Sequence, residues 1–164
     1  MQKIRIGYGY DVHRLAEGLP LWLGGVSVPS DRGCVAHSDG DVLIHAVCDA
    51  LLGALALGDI GTHFPDTDPR YAGIDSKLLL AECVGLIEKQ GYRVGNVDCM
   101  LCLERPKIKP FVPAMQQTLA EILKVAPGDV SVKATTKEGL GFIGSGEGVD
   151  ATAAVLLFSG DTDI

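Results

Sequence analysis

Asp11, His13 and His45 have side chains and spacings that are typical of a metal site. Asp11 and His13 are two positions apart, and on a strand such residues point to the same face. A carboxylate and imidazole nitrogens are normal zinc ligands, and a catalytic zinc site needs three protein ligands and one open position. An Asp-x-His pair alone has low specificity, because it occurs more often in turns or on surfaces. The metal hypothesis therefore depends on the third residue.

His45 lies within a predicted helix, with Asp41 four residues before it and Asp49 four residues after it. Residues with this spacing share one stripe of the helix surface. Two interpretations remain open: a partly buried histidine paired with a carboxylate, or a metal ligand whose second ring nitrogen is oriented by an aspartate. Since the rest of the helix is strongly apolar, the stripe is expected to face water or a functional site.

Polar and acidic residues also cluster in the loops on both sides of this helix. Such carboxylates are usually solvated turn residues. The alternative is a rim that binds a polyol or a ribose through aspartates and backbone groups. The loop residues concerned are His37, Ser38, Asp39, Asp59, Ile60, Gly61, Phe64, Pro65, Asp66, Thr67 and Asp68.

A second candidate binding segment, KATTKE followed by GLGFIG, begins at Lys133 at the end of a predicted strand. The N–H groups of a glycine-rich segment after a strand can bind phosphate. The segment matches neither a Walker motif nor GxGxxG, so the pattern has low specificity. Glu138 is a candidate ligand for Mg²⁺, which takes one or two protein carboxylates together with the phosphates of a substrate.

The elements that must position these residues follow from hydropathy periods and turn residues. Strands are predicted at 3–10, 21–28, 92–103, 129–135 and 149–158, and helices at 40–57, 75–90 and 111–125. Gly24-Gly25 interrupts the second strand and suggests a bend or bulge there. Residues 58–73 and 138–148 are predicted to be loops, and residues 161–164 a frayed tail. The order β-β-α-α-β-α-β-β predicts a single α+β domain over residues 1–164, with a mixed β-sheet covered by helices on one face. The uncovered face and the low aromatic content favour a homo-oligomer.

The composition argues against several classes of function. Of 164 residues, 14 are basic and 21 acidic, and the resulting charge of −7 disfavours a nucleic-acid surface. It also disfavours an anionic substrate, unless divalent ions reverse the local charge. No apolar run approaches the ~18 residues of a membrane span, and no targeting segment is recognisable, so a cytoplasmic protein of bacterial origin is expected. The five cysteines are expected to be free thiols, and Cys99 and Cys102 to point to opposite faces of a strand.

Taken together, these segments resemble the 2-C-methyl-D-erythritol 2,4-cyclodiphosphate synthases of the non-mevalonate isoprenoid pathway. The resemblance extends from Arg5 to about Phe158. It is carried by the ordered segments RIGYGYDVHRL, AHSDGDVLIHAVCDALLGALALGDIG, FPDTDP, GNVD, the pair Pro106-Lys107 and VKATTKEGLGFIGSGEG. Each motif alone is weak, but their order within one chain of this length is specific.

The resemblance implies a homotrimer with three active sites, each between neighbouring subunits. Asp11, His13 and His45 match the zinc ligands of the family, and Glu138 matches the ligand of a second divalent ion, Mg²⁺ or Mn²⁺, on the substrate diphosphate. His37, Thr136 and Glu138 are assigned to catalysis. Substrate contacts are assigned to Asp11, His13, His37, Ser38, Asp59, Ile60, Gly61, Phe64, Pro65, Asp66, Thr67, Asp68, Leu103, Pro106, Lys107, Ile108, Ala134, Thr135, Thr136 and Phe142.

The implied reaction is an intramolecular phosphoryl transfer. The 2-phosphate of 4-diphosphocytidyl-2-C-methyl-D-erythritol 2-phosphate attacks the β-phosphorus, CMP leaves and a cyclic diphosphate forms. A metal-dependent phosphohydrolase would use the same ligands with water as nucleophile, and a non-catalytic trimeric metal-binding module is a third possibility. Ser145 departs from the family, since many members have an arginine there. The chain therefore lacks the cation that would hold an isoprenoid diphosphate in the central cavity of the trimer.

Overall fold

The computed structural model describes residues 2–160, in which a five-stranded sheet and a two-stranded hairpin pack with the helices. The strands are β1 (Ile4–Glu17), β2 (Leu21–Leu23), β3 (Val26–Val28), β4 (Arg32–Val35), β5 (Tyr92–Cys102), β6 (Val130–Thr135) and β7 (Gly148–Ser159). The helices are α1 (Val42–Ala54), α2 (Ile60–His63), α3 (Ser76–Lys89), α4 (Val112–Leu123) and α5 (Gly141–Gly144).

The five-stranded sheet has the strand order β4-β1-β7-β5-β6. The pair β5–β6 is parallel and the other pairs are antiparallel, so the predicted α+β class and mixed sheet are confirmed. The helices α1, α3 and α4 contribute to one continuous apolar core on one face of this sheet. From β7 the core receives Val149, Ala151, Ala153, Val155 and Leu157.

Glycines on β1 bring this strand into backbone contact with α1. Gly7 and Gly9 point toward the helix, and an added Cβ atom would overlap the backbone oxygen of Ala50 or of Ala46, respectively. Because alternate residues of a strand share one face, Asp11 and His13 follow these glycines on the side of the strand that faces α1. The close approach therefore places two of the candidate metal ligands beside the helix that carries the third.

The start of α1 is attached to the β2–β3 hairpin by Asp41, which is fully buried. Its carboxyl oxygens accept hydrogen bonds from the backbone N–H groups of Ile44 (3.0 Å), Gly24 (2.9 Å) and Gly25 (2.6 Å). The two glycines have φ of 60° and 76°, a left-handed conformation that glycine adopts without steric cost. The segment 21–28, predicted as a strand with a bend or bulge at Gly24-Gly25, is a hairpin of two strands, because the chain reverses fully at these glycines.

Other boundaries also differ from the sequence-based expectations. β1 continues past residue 10 to Glu17 because its far end pairs with both β4 and β7. The sequence does not predict β4, a four-residue strand without an alternating pattern. The expected loops 58–73 and 138–148 contain α2 and α5, each too short to show a helical period. α1 spans 42–54 instead of 40–57, and the tail 161–164 lies outside the described residues.

The opposite face of the sheet is open in a single chain. Large apolar side chains of β1 project from it, and Ile6 and Tyr8 are 75% and 67% exposed. The exposed apolar residues of this strand are Ile4, Ile6, Tyr8, Tyr10 and Val12. Such a contiguous apolar surface marks an interaction site. Among residues 2–160, none of the helices has the length and apolar character needed to span a bilayer.

The cysteines agree with the sequence-based expectation. All five thiols are free and their residues are buried. Cys99 belongs to the core beneath the helices, whereas Cys102 lies outside that core, where burial and the neighbouring Asp150 raise the pKa of its thiol. The two cysteines of the CxxC sequence therefore do not meet.

The contact between β1 and α1 predicts a strong effect of one added methyl group. Gly9→Ala is expected to lower the free energy of unfolding by about 3 kcal/mol, because overpacking against a backbone atom forces the helix away from the strand. Gly85→Ala is the matched control, since Gly85 has no neighbouring atom within 4 Å of an added Cβ. It should raise stability by up to about 1 kcal/mol through helix propensity. Urea unfolding measures both, and equal small effects would contradict the close contact.

Candidate metal centre and adjoining cavities

Three ligand atoms of Asp11, His13 and His45 converge to a compact triangle. Asp11 Oδ2 lies 3.0 Å from His13 Nε2 and 3.0 Å from His45 Nδ1, and the two nitrogens are 3.1 Å apart. His45 is buried, and the other two side chains are half-buried. Within residues 2–160, these are the side chains that approach one another closely enough to share a metal ion.

The triangle fits a divalent ion. Zinc bonds to imidazole nitrogen and carboxylate oxygen at about 2.0–2.2 Å, so ligand atoms in a tetrahedral site are about 3.3 Å apart. The observed separations of 3.0–3.1 Å are close to one face of such a tetrahedron. In the protein alone, two imidazole nitrogens directed at each other can share only one proton. One carboxylate and two imidazoles suit zinc and similar transition metals better than calcium.

The electrostatics of the cluster also favour a cation. Burial raises the pKa of Asp11, but the hydrogen bonds and charges of His13 and His45 outweigh burial and lower this pKa to about 2. Burial lowers the pKa of His45, but its hydrogen bond to Asp11 and the nearby negative charges outweigh burial and raise it. The carboxylate is thus stabilised by positive charge beside it, as it would be beside a metal ion.

The second ring nitrogen of His45 is hydrogen-bonded to hydroxyl groups. Nε2 lies 2.9 Å from Ser76 Oγ and 3.2 Å from Ser38 Oγ. Ser76 is fully buried at the first position of α3, and its hydroxyl donates to the carboxylate of Asp39. The sequence analysis did not identify this contact, because α3 reaches His45 only in the folded chain.

The prediction that an aspartate of the helical stripe orients His45 is wrong. Asp41 is used to cap α1 and to hold the hairpin, and Asp49 accepts a hydrogen bond of 2.7 Å from the backbone N–H of Ile60. Because both carboxylates bind backbone amides, neither contacts His45. The stripe nevertheless has a structural purpose, since Asp49 holds α2 against α1.

A cavity of about 460 Å³ adjoins the metal ligands and is lined by residues from several loops. It contains seven of the predicted loop residues, His37, Ser38, Ile60, Gly61, Phe64, Pro65 and Asp66, together with Asp11, His13 and His45. Ala36, Tyr71, Ile74 and Leu79 also line it and were not predicted. Apolar residues of this kind give no sequence signal that separates cavity lining from core.

Four of the predicted rim residues, Asp39, Asp59, Thr67 and Asp68, do not line the cavity. Asp59 caps α2 by accepting a hydrogen bond of 2.8 Å from the N–H of Thr62. Asp68 pairs with Arg70, and its backbone oxygen lies 3.2 Å from His37 Nε2. Thr67 precedes it in the same loop. The histidine therefore connects this loop to the cavity wall.

A second cavity, of about 200 Å³, lies at the ends of β5 and β6. It is lined by the predicted residues Leu103, Pro106, Lys107, Ile108, Ala134, Thr135 and Thr136, and also by Glu104 and Lys109. The parallel pairing of β5 and β6 brings these two segments to the same edge. None of these residues lines the cavity beside the metal ligands.

Glu138 lies just beyond this second cavity and is separate from the metal triangle. Its carboxylate accepts a hydrogen bond of 3.2 Å from the hydroxyl of Thr136. Its φ of 53° lies in the left-handed region, which is unfavourable for a residue with a side chain. Such strain is found most often at functional positions.

The remaining candidates lie near α5. Phe142 lines a cavity of about 200 Å³ together with Val12, His13, Arg14, Glu147 and Gly148. The single hydroxyl proton of Ser145 is shared between the backbone oxygen of Phe142 and Glu147 Oε1, each 3.1 Å from Ser145 Oγ. Phe142 thus shares a small cavity with His13, but it does not line the larger cavity beside Asp11 and His45.

Comparisons with known proteins agree with this architecture. The family model described as the YgbB family matches residues 4–158. A protein of Porphyromonas gingivalis named 2-C-methyl-D-erythritol 2,4-cyclodiphosphate synthase is 57% identical over 155 residues, which are 94% of this chain and 96% of that protein. The match thus includes both cavities and the metal triangle.

Solved structures have the same fold. The bifunctional IspDF from Campylobacter jejuni superimposes with a TM-score of 0.94 and 42% identity, covering 98% of this chain and 44% of that longer one. A 2C-methyl-D-erythritol-2,4-cyclodiphosphate synthase in its CDP-bound form superimposes with a TM-score of 0.87 and 44% identity, covering 93% of this chain and 99% of that one.

The Asp11 pKa can be tested directly in protein freed of metal by a chelator. Carbon-13 NMR should show its carboxyl titrating near pH 2 instead of 3.8. Because the folded pKa lies below the unfolded one, the stability from this group is complete above pH 3.8 and is lost as the pH falls toward 2. It amounts to about 2 kcal/mol. In His45→Gln the pKa should rise, and a value of 3.8 or more in the unaltered protein would contradict the prediction.

Proposed function

The chain belongs to the YgbB family. We propose that it is a cyclising phosphorus–oxygen lyase and that its two cavities bind different parts of one substrate. The substrate is 4-diphosphocytidyl-2-C-methyl-D-erythritol 2-phosphate, and the products are the 2,4-cyclodiphosphate and CMP. An oxygen of the 2-phosphate forms a bond to the β-phosphorus. The bond from that phosphorus to the bridging oxygen breaks, and the bridging oxygen leaves with CMP. The reaction supplies a precursor for isoprenoid biosynthesis.

The proposal rests on the convergence of Asp11, His13 and His45 at the wall of the larger cavity. We place the substrate diphosphate at the open side of this triangle, with zinc or a similar divalent ion as the metal. Such an ion supplies positive charge that orients the diphosphate and stabilises the charge developing at the β-phosphate. The net charge of −7 is compatible with this anionic substrate, because the metal reverses the local charge.

The residues of the larger cavity supply position more than proton transfer. The nucleophile is already an ionised phosphate oxygen, so no side chain has to remove a proton from it. His37 and Ser38 lie on the cavity wall and are proposed to contact the methylerythritol phosphate. The ribose is assigned to Asp59, Ile60 and Gly61, and the loop Phe64, Pro65, Asp66, Thr67 and Asp68 is proposed to limit access of water. When the 2-phosphate is held against the β-phosphate, the two reacting groups no longer have to find each other, and the barrier to reaction is lowered.

The smaller cavity is the proposed cytidine site. Its walls combine apolar side chains with backbone groups and the ammonium groups of Lys107 and Lys109, which can balance phosphate charge. Cytosine is assigned to Leu103, Pro106, Lys107, Ile108, Ala134 and Thr135. Thr136 and Glu138 lie at its exit, where Thr136 is proposed to bind phosphate and Glu138 to hold a second ion, Mg²⁺ or Mn²⁺.

We propose that a complete site needs more than one copy of the chain. The two cavities share no lining residue, and an open apolar sheet face that includes Ile6 and Tyr8 is available for association. Each Å² of apolar surface removed from water contributes about 25 cal/mol, and this gain is set against the freedom that the chains lose on association. A homotrimer of single domains over residues 1–164 would bring the metal triangle of one copy to the cytidine cavity of the next.

Phosphorus NMR of the purified protein with its substrate and Mg²⁺ or Mn²⁺ tests the function. The expected products are CMP and a cyclic diphosphate. His45→Ala should lose bound zinc and reduce turnover by more than about 100-fold, since removing a ligand costs more than removing its outer partner. The control is His63→Ala, whose ring contacts the backbone oxygen of Leu57 and lines neither the larger nor the smaller cavity. Inorganic phosphate with linear products would show a phosphohydrolase, and zinc binding without turnover a non-catalytic module.

Glu138→Gln tests the second ion site. The substitution removes a negative charge but keeps the shape of the side chain, so turnover should fall by about 10-fold or more through a weakened Mg²⁺ site. Raising the Mn²⁺ concentration should restore part of the rate. Glu82→Gln on α3 serves as the charge-matched control. Turnover that is unaffected by Glu138→Gln would remove this residue from the ligand set.

A further inference from the structure

The donors and acceptors of the hydrogen bonds that link Asp39, Ser76 and His45 Nε2 can be assigned. The carboxylate of Asp39 receives the hydroxyl of Ser76, the backbone N–H of Ser76 (2.9 Å) and the backbone N–H of Asp41 (3.1 Å). An ionised carboxylate has no proton to donate, so the single hydroxyl proton of Ser76 is committed to Asp39. The oxygen of Ser76, 2.9 Å from His45 Nε2, can then only accept a hydrogen bond.

We infer that Asp39 and Ser76 select the tautomer of His45 that can bind a metal. Because Ser76 accepts, Nε2 carries a proton, and in the neutral ring Nδ1 is left with a free electron pair. Nδ1 is the atom that faces Asp11 Oδ2 and His13 Nε2. Ser76 and Asp39 are positioning residues, since they act on the ligand and do not themselves reach the cavity.

The selection is needed because Asp11 favours the opposite tautomer. In protein without an ion, Asp11 Oδ2 lies 3.0 Å from His45 Nδ1 and would accept a hydrogen bond from a proton on this nitrogen. A proton on Nδ1 occupies the electron pair that a metal requires. The bond to Ser76 opposes this by holding the proton on the far nitrogen, and it therefore keeps the site ready for an ion.

Ser38 does not provide the same selection. Its oxygen is 3.2 Å from His45 Nε2 and accepts a hydrogen bond from the backbone N–H of Gly40. Within residues 2–160, no carboxylate accepts its hydroxyl proton, so Ser38 can either donate to Nε2 or accept from it. With Ser76 removed, both tautomers of His45 become possible.

The test uses Ser76→Ala, which leaves the bond from the Ser76 backbone N–H to Asp39 in place. Nitrogen-15 NMR of the histidine rings is recorded on metal-free protein, at a pH where the ring is neutral. In the unaltered protein His45 should be protonated at Nε2 alone, and in Ser76→Ala the Nδ1–H form should appear. Competition with a chelator should show zinc affinity lowered 10- to 100-fold. Ser27→Ala, on an exposed hairpin position, is the control and should change neither.

Asp39→Asn provides a second, independent variant. An asparagine cannot accept from all three donors at once, so one amide hydrogen competes with a donor and the direction of the Ser76 hydroxyl is no longer imposed. The double variant with Ser76→Ala should lose little more affinity than either single variant, because both act through one bond. Urea unfolding separates these effects from a loss of folded protein.

The inference rests on the proposed metal site, but its failure can be distinguished from failure of that site. A proton on Nδ1 in the unaltered metal-free protein would overturn it, whatever the zinc affinity. The inference would also be overturned if Ser76→Ala kept the tautomer of the unaltered protein, or if its zinc affinity stayed within twofold of that of the unaltered protein. Zinc retained in full by His45→Ala would instead overturn the metal site itself.

Discussion

The backbone of β1 lies directly against the backbone of α1, and the convergence of Asp11, His13 and His45 depends on this contact. Gly7 and Gly9 leave no Cβ atom between strand and helix, and the facing helix residues include Ala46 and Ala50. A histidine on α1 then needs no long reach to meet residues that follow on the same strand face. Larger side chains between the two elements would separate the donors, and the 3.0–3.1 Å triangle would not form.

The acidic residues around α1 differ in the kind of hydrogen-bond partner that each one has. Asp41 and Asp49 bind backbone amides and hold neighbouring segments, whereas Asp39 receives a serine hydroxyl. Asp11 alone is directed at two imidazole nitrogens. The negative charge of this region therefore does not act as one anionic patch. Three of these carboxylates accept hydrogen bonds from donors within the fold, and the carboxylate of Asp11 remains for a cation.

Much of this organisation could be predicted from sequence, because long elements and short-range spacings leave clear patterns. The alternation through Asp11 and His13 and the helical period around His45 both point to the residues that converge as the candidate metal site. Ser76 could not be identified, since it meets His45 only when α3 packs beside α1, 31 residues further along the chain. Short elements such as β4 and α5 have too few residues to show a period, and the reversal at Gly24 and Gly25 depends on a carboxylate from another segment.

The buried carboxyl group of Asp41 also has a consequence for cooperativity. It receives amide hydrogens from Ile44 in the helix and from Gly24 and Gly25 in the hairpin. Neither element can detach alone without leaving this buried group short of donors, at a cost of about 1–3 kcal/mol or more. Local fraying of the hairpin is thereby suppressed, so that these amide hydrogens exchange with solvent through the rare opening of the whole domain. The start of α1, the helix that carries His45, is therefore held in place by contacts with other segments of the fold.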